Sequence, residues 1–425
     1  VRIDYLCTKI ANIDLPVLKC YTLLLNYVDW IKVLIDKVTP MTLLLRIIFL
    51  TGILVSTALA SPRFLTISDI HYGDRNSSLD GHDTGKELMA ITLDKYKELS
   101  QNVDFILTLG DLPTHLLGYS PEKELYEQVV FHGLFEGDSL KKPLFYISGN
   151  NDPISGNYQP FEFNGKSPLN YADDWSGAAC VHCDGLIIDD TNMHTGGYYS
   201  SYVIPGNEDV VLIVLNTTQW MKPPRFLPKY PNQDKDAMAQ LAWFADQLEA
   251  NQAKQLLIAM HEPPGKDYTG SVLWQDKYLA EFIRLLDENH DAYEQISLLT
   301  SHTHMDELRK IQLTDGTTIY GYSTPSISRV HYNNSAMKIF DLDTNMAIQD
   351  FTTYYTPSTQ YWHDDEYHAL GVPGSIFPKC QKQNLAQCLD SLTPQQVCDA
   401  VELGQFYGAK STRVNNTQCR KVFKI

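Results

Sequence analysis

The chain has 425 residues, 44% of them hydrophobic and 20% charged, a composition ordinary for a globular protein. That length can bury a large core, enough for one big α/β domain with appendages. The formal net charge of −17 repels polyanions over the surface at large, which excludes a nucleic-acid-binding module.

Residues 1–40 are apolar without clear helix caps or a cleavage site. They read as an upstream extension, with Met41 as the true start. Residues 41–60 then read as a secretory signal peptide: Arg46 lies near the start, 47–55 is apolar, and Ala58-Leu59-Ala60 offers a small-residue cleavage site. The apolar stretch is short for a bilayer span, so no stable transmembrane anchor is expected after cleavage. The rival is an uncleaved anchor. Cleavage after Ala60 places the product outside the cytoplasm, secreted or periplasmic.

From residue 64 strand-like and helix-like runs alternate. Strands are expected to 68, to 109 and to 147, with helices at 84–99 and at 121–135, where Pro121 suits a helix start. Residues 164–209 are rich in Gly, Asp and Tyr, with short strands at 186–188 and 198–204, and 210–215 is a buried strand. Residues 234–250 are helical, their apolar stripe of Met238, Leu241, Phe244 and Leu248 facing the core. Four further strands follow at 308–313, 317–322, 336–342 and 346–355. Two packed sheets flanked by helices are therefore expected in a catalytic domain spanning 61–356. Residues 357–378 resemble a linker, and 383–403 a short helical tail within 357–425. Beyond Cys7 and Cys20 of the leader, Cys180, Cys183, Cys380, Cys388, Cys398 and Cys419 form an even set, which in an exported chain favours disulfides. Cys180-Val181-His182-Cys183 also fits a redox or zinc pair, though a structural disulfide is preferred. The last four staple the tail, with connectivity open.

Five polar blocks punctuate this pattern: Asp69-Ile70-His71, Gly110-Asp111, Gly149-Asn150, His261 and His302-Thr303-His304. Most follow directly on apolar, β-branched runs, and the ends of parallel strands share one edge of an α/β sheet, where ligand sites lie. Two carboxylates, one amide and four imidazoles on one edge suffice for two metal ions. A divalent pair about 3.5–4 Å apart can hold a bridging hydroxide and stabilise both attacking and leaving oxygens at phosphorus. Asp111, central in the series, is the candidate bridge. Asp69, His71 and His304 would complete one metal, and Asn150, His261 and His302 the other. Such mixed donors suit zinc, with manganese or iron as alternatives, better than calcium.

With these blocks and their surroundings the chain resembles the calcineurin-like metallophosphoesterases, and more narrowly the acid sphingomyelinase-like phosphodiesterases. Gly110-Asp111-Leu112-Pro113-Thr114-His115 is similar to that family's Gly-Asp-x-x-x-His, and His261-Glu262-Pro263-Pro264-Gly265 to its His-x-Pro-Pro-Gly turn. Leu215-Asn216-Thr217, Ser301-His302-Thr303-His304-Met305-Asp306, Thr324-Pro325-Ser326-Ile327-Ser328 and Asp350-Phe351-Thr352-Thr353-Tyr354-Tyr355 match further segments. The resemblance implies a four-layer α/β/β/α sandwich of two mixed sheets. It also implies hydrolysis of a phosphodiester or phosphoanhydride by a metal-bridged hydroxide, with His115 protonating the leaving oxygen. Two departures stand out. Asn151 replaces the family's usual His after Gly-Asn, as in the endopolyphosphatase relatives, and would donate to a phosphoryl oxygen without delivering a proton. Ser301 replaces a Gly, a small change expected to be tolerated. Phospholipid, nucleotide and polyphosphate all remain candidate substrates, and a non-catalytic surface protein on the same scaffold is the rival class. His82, His182, His194, Arg329 and His331 lie between or after the blocks as secondary candidates.

Overall fold

The computed structural model describes residues 61–425 apart from 75–79, 116–117, 119, 223, 372–374, 381–382, 404–418 and 420–421. The expected upstream extension and signal peptide lie outside the described residues. Among those described, no helix is long and apolar enough to cross a membrane.

Two seven-stranded mixed sheets form the body. The first is built around three parallel strands, β1 (Arg63–Ile67), β2 (Phe105–Thr108) and β3 (Leu144–Tyr146), with β4 (Cys180–Val181) antiparallel on one side. On the other side lie β12 (Ser335–Leu342), β13 (Ile348–Thr356) and β14 (Asp365–His368), all joined antiparallel. The second sheet has a parallel centre of β7 (Asn207–Leu215), β8 (Gln255–Met260), β9 (Gln295–Thr300) and β11 (Thr318–Ser323). Its antiparallel flanks are β10 (Leu308–Gln312) beyond β11, and β6 (Tyr199–Ile204) then β5 (Ile187–Asp189) beyond β7.

The layering follows from the period-two alternation of strand side chains. Along β7, Val210, Leu212 and Val214 join the core shared with Phe64, Leu107 and Phe340 of the first sheet. Val211, Ile213 and Leu215 point the other way, into a second core with Leu241, Phe244 and Leu248 of α3 (Gln233–Ala250) and Phe282 and Leu286 of α4 (Asp276–Asn289). On the outside of the first sheet sit α1 (Lys86–Ser100) and α2 (Pro121–Gly137), with Leu88, Tyr96, Phe131 and Leu134 buried. Pro121 opens α2 behind Ser120, whose hydroxyl accepts from the Glu122 amide at 3.3 Å. The result is the expected α/β/β/α sandwich.

Three details differ from the sequence expectation. Met238 is 54% exposed, and Ala237 takes its place in the buried stripe of α3. The stretch 357–378, expected as a linker, contributes the edge strand β14. Finally, α4 fills a segment for which no element was expected. The tail forms α5 (Leu385–Asp390) and α6 (Pro394–Leu403), with disulfides Cys380–Cys388 and Cys398–Cys419. Cys180 and Cys183 are joined in a third disulfide.

Candidate metal centre

The parallel centres of both sheets point their carboxyl ends at one place. Asp69 and His71 follow β1, Asp111 follows β2, Asn150 follows β3, His261 follows β8, and His302 and His304 follow β9. The loops interlock by backbone bonds: Asp69 N to Gly110 O and His71 N to Asp111 O at 3.0 Å each, and Ser301 N to His261 O at 2.8 Å. Close approach dictates the glycines. A Cβ on Gly110, whose φ is +89°, would collide with Gly149 and Ile147 O, and one on Gly149 would collide with the Asp111 carboxylate.

The seven expected residues converge. His71 Nε2 lies 3.5 Å from Asp111 Oδ2, 3.7 Å from Asp69 Oδ1 and 3.2 Å from His304 Nε2. His261 Nε2 lies 3.2 Å from Asp111 Oδ2 and 3.7 Å from Asp69 Oδ1. Asp111, His261 and His302 form one group with donor atoms within 4.8 Å, as do Asp69, His71 and Asp111. Asp111 belongs to both, as a bridge must. His115 joins a third group with His71 and His304, its ring stacked on His71 at 3.9 Å.

The donor set fits metal ions. Buried Asp69 Oδ1, Asn150 Oδ1, His261 Nε2 and His304 Nδ1 have no hydrogen-bond partner, so polar atoms are held in the interior without compensation. Asn150 Nδ2 is committed to Asn157 Oδ1 at 2.7 Å, which turns the amide oxygen to the centre. His71 Nδ1 donates to Pro113 O at 3.1 Å and His261 Nδ1 to Leu109 O at 2.6 Å, leaving each Nε2 to the centre. Burial disfavours charge on these imidazoles, but the surrounding carboxylates overcome it for two of them. Asp69, Asp83 and Asp111 push His71 up to about 9, and Asp111 and Asp69 raise His261 well above its usual range. Burial and the neighbouring His261 push His302 down to about 3. Burial opposes ionisation of Asp111, yet the His261 charge holds its carboxyl well below the usual range.

The sequence reading overlooked several supporting groups. Asp152, fully buried, accepts from the amides of Gly149 (2.7 Å), Asp111 (3.1 Å) and Leu112 (2.7 Å) and from the Tyr146 hydroxyl (2.9 Å). It closed the Gly149-Asn150-Asn151-Asp152 block, which was a signal. Asp83 accepts from His115 Nδ1 and N at 2.9 Å, from Thr114 Oγ1 at 2.8 Å and from Ser328 Oγ at 2.9 Å. Nothing in the sequence marks it. The Ser301 hydroxyl donates to Asp69, so this departure from the family pattern makes a bond of its own. Asn151 donates its backbone N to Asp111 Oδ1 at 2.7 Å and its Nδ2 to Oδ2 at 2.8 Å. Of the secondary candidates, His331 stacks edge-on to His304 at 4.6 Å, whereas Arg329 is held by Asp80, His82 by Asp74 and His182 lies near Asp138. A cleft of about 330 Å³ opens over the centre, lined by Asp111, His115, Asn150, Asn151, Tyr158 and His302 among others.

The two sheets thus bring mixed carboxylate, amide and imidazole donors together at their joint edge. A family model described as calcineurin-like phosphoesterase matches residues 62–306, and the chain belongs to that family. It is 24% identical over 307 residues to sphingomyelin phosphodiesterase 1 of Caenorhabditis elegans, covering 69% of this chain and 50% of that protein. It is 23% identical over 285 residues to sphingomyelin phosphodiesterase B of Dictyostelium discoideum, covering 62% of this chain and 41% of the relative. The chain thus spans about half the length of the curated relatives it matches. Among solved structures it is similar to PhoD, with a TM-score of 0.43 and 12% identity over 72% of this chain and 68% of that one.

Proposed function

We propose that this protein is an exported phosphodiesterase that cleaves phosphodiester or phosphoanhydride bonds with two divalent ions, zinc being the first candidate and manganese or iron the alternatives. The observation that supports this most is the convergence of seven donor residues, four of them with an unpartnered buried polar atom, at the joined strand ends. In this reading Asp69, His71 and His304 would hold one ion, Asn150, His261 and His302 the other, and Asp111 would serve both. When bound, such a pair supplies a nucleophile at neutral pH and stabilises charge developing on the phosphoryl oxygens.

The protein's own groups do the rest. His115 lines the cleft with Nδ1 committed to Asp83, so Nε2 is the atom left to give a proton to the leaving oxygen. Asp83 fixes the tautomer and ring orientation. Asn151 holds Asp111 through its backbone N and one Nδ2 hydrogen, which leaves the second Nδ2 hydrogen for a phosphoryl oxygen at the cleft wall. It brings no titrating group, unlike the His usual at that position. The relatives named for sphingomyelin favour a phospholipid headgroup as substrate, while Asn151 favours nucleotides or polyphosphate. A screen of sphingomyelin, nucleoside triphosphates, cyclic nucleotides, bis-p-nitrophenyl phosphate and polyphosphate decides between them, and no turnover of any of these would leave the non-catalytic reading. Three disulfides among the described residues support export to an oxidising compartment. Mass spectrometry of the exported product should find Ser61 as its first residue; a product retaining residues 1–40 would contradict this.

A further inference from the structure

One wall of the cleft is a loop whose character contrasts with the rest of the molecule. Residues 221–233 read Met-Lys-Pro-Pro-Arg-Phe-Leu-Pro-Lys-Tyr-Pro-Asn-Gln, with three cations and no acidic residue, in a chain of net charge −17. Lys222, Arg225, Phe226 and Lys229 are all exposed. The base of the loop is fixed: Met221 bridges to Trp274, and the Met221 carbonyl accepts from Gln233 Nε2 at 2.8 Å and Gln275 Nε2 at 3.1 Å. Further along, Pro228 O accepts from Gln159 Nε2 at 3.1 Å. The tip is a turn closed by Leu227 N to Pro224 O at 3.1 Å, with Arg225 and Phe226 at its apex. Phe226 is 77% exposed, although a collapsed loop could have buried it. Exposed Val272 adjoins Leu273, whose carbonyl accepts from the Lys222 amide at 2.8 Å.

A hydrogen-bonded turn that holds an aromatic ring in water beside three cations gains nothing for the fold and is suited to an interface with an apolar interior and an anionic surface. We infer that this loop is a membrane-docking lip: Phe226 enters the acyl region of a bilayer carrying anionic lipids, while Lys222, Arg225 and Lys229 meet lipid phosphates. The inference rests on the phosphodiesterase reading, because Pro224, Phe226 and Leu227 also wall the cleft. Docking there would set lipid headgroups at the mouth of the candidate metal centre.

Co-sedimentation of the full protein with phosphatidylcholine–phosphatidylserine vesicles at low salt tests the lip. Binding is expected, and it should fall about fivefold for each cation replaced, roughly 100-fold in Lys222→Gln/Arg225→Gln/Lys229→Gln. Phe226→Ser should lower it by about tenfold. In Phe226→Trp, brominated acyl chains should quench the new indole. Circular dichroism checks that each variant is folded. Absence of vesicle binding, binding unaffected by these substitutions, or an unquenched indole would overturn the inference. So would a preference for polyphosphate over vesicles, or self-association that depends on Phe226. Turnover of soluble bis-p-nitrophenyl phosphate by the unaltered protein separates the two levels. Hydrolysis without vesicle binding removes the lip alone, whereas vesicle binding without hydrolysis of any phosphoester removes the reading beneath it.

Discussion

Five of the seven candidate ligands hold left-handed backbone: φ is +45° at Asp69, +47° at His71, +56° at Asp111, +70° at His302 and +65° at His304. For residues with a Cβ this costs on the order of 1 kcal/mol or more each, which the interlocked loop bonds offset. Two tests belong to single residues. Replacing His115 by Ala should slow substrates with poor leaving groups by about 10²–10⁴-fold and barely affect p-nitrophenyl esters, while Asn151→Ala should weaken both classes alike. Equal damage to both classes by His115→Ala would assign His115 to phosphate binding or metal support. The second test concerns His71, pushed up to about 9. Below that pH it carries a proton that must leave before Nε2 can bind a metal ion, so affinity should climb with pH through neutrality and level off above about 9. In chelator-treated protein the sign reverses. A raised folded-state value stabilises the fold below the unfolded value of 6.5, and that stability should be lost between 6.5 and about 9. Metal titrations and thermal melts across this range measure both trends, and a pH-independent affinity would contradict the assignment.

At the scale of elements, the family-like motifs prove to be joints as well as donors. Thr217 and Thr218 hydroxyls donate to Glu262 at 2.6 and 2.7 Å, tying the Leu215-Asn216-Thr217 segment to the His261 turn. Arg309 donates to Pro264 O and Lys266 O at 2.9 and 2.8 Å, fixing that turn from β10. Asp306, closing the His302–His304 block, accepts from Lys338 of β12, Thr353 of β13 and Tyr367 of β14. Strand runs, helices and the donor blocks were legible in the sequence because each depends on local periodicity or on residue type at a strand end. Asp83 and the Ser301 bond were not, because their partners lie up to 245 residues away and no periodicity encodes them. The exposure of Met238 has the same origin. A period of 3.6 residues names a stripe, but the opposing sheet selects Ala237 at its margin. Asp152→Ala should therefore be damaging, since it strands three amides and a tyrosine hydroxyl in the interior. A loss of about 3 kcal/mol or more in urea unfolding is expected, together with loss of the Asp111 geometry. A change under about 0.5 kcal/mol, the range of an ordinary surface substitution, would show the loop to be held by other means.

Across the whole molecule, two sheets that each bury both faces bring their parallel strand ends to one edge, and the tail is fastened to the same body. Ile425 N donates to Lys310 O at 3.1 Å, and Tyr320 donates from β11 to Asp390 of α5 at 2.7 Å. The centre is thus built from both halves of the sandwich, with Asp111 from the first sheet facing His261 and His302 from the second. That junction is the central claim, and Asp111→Asn tests it most directly. Metal content by elemental analysis, read beside turnover of bis-p-nitrophenyl phosphate, should show two ions per chain and hydrolysis in the unaltered protein. In the variant, loss of the shared negative charge leaves two cations to repel each other, so fewer than two ions and no turnover are predicted, with an unchanged circular dichroism spectrum. Two bound ions and near-unaltered turnover in Asp111→Asn would contradict the account.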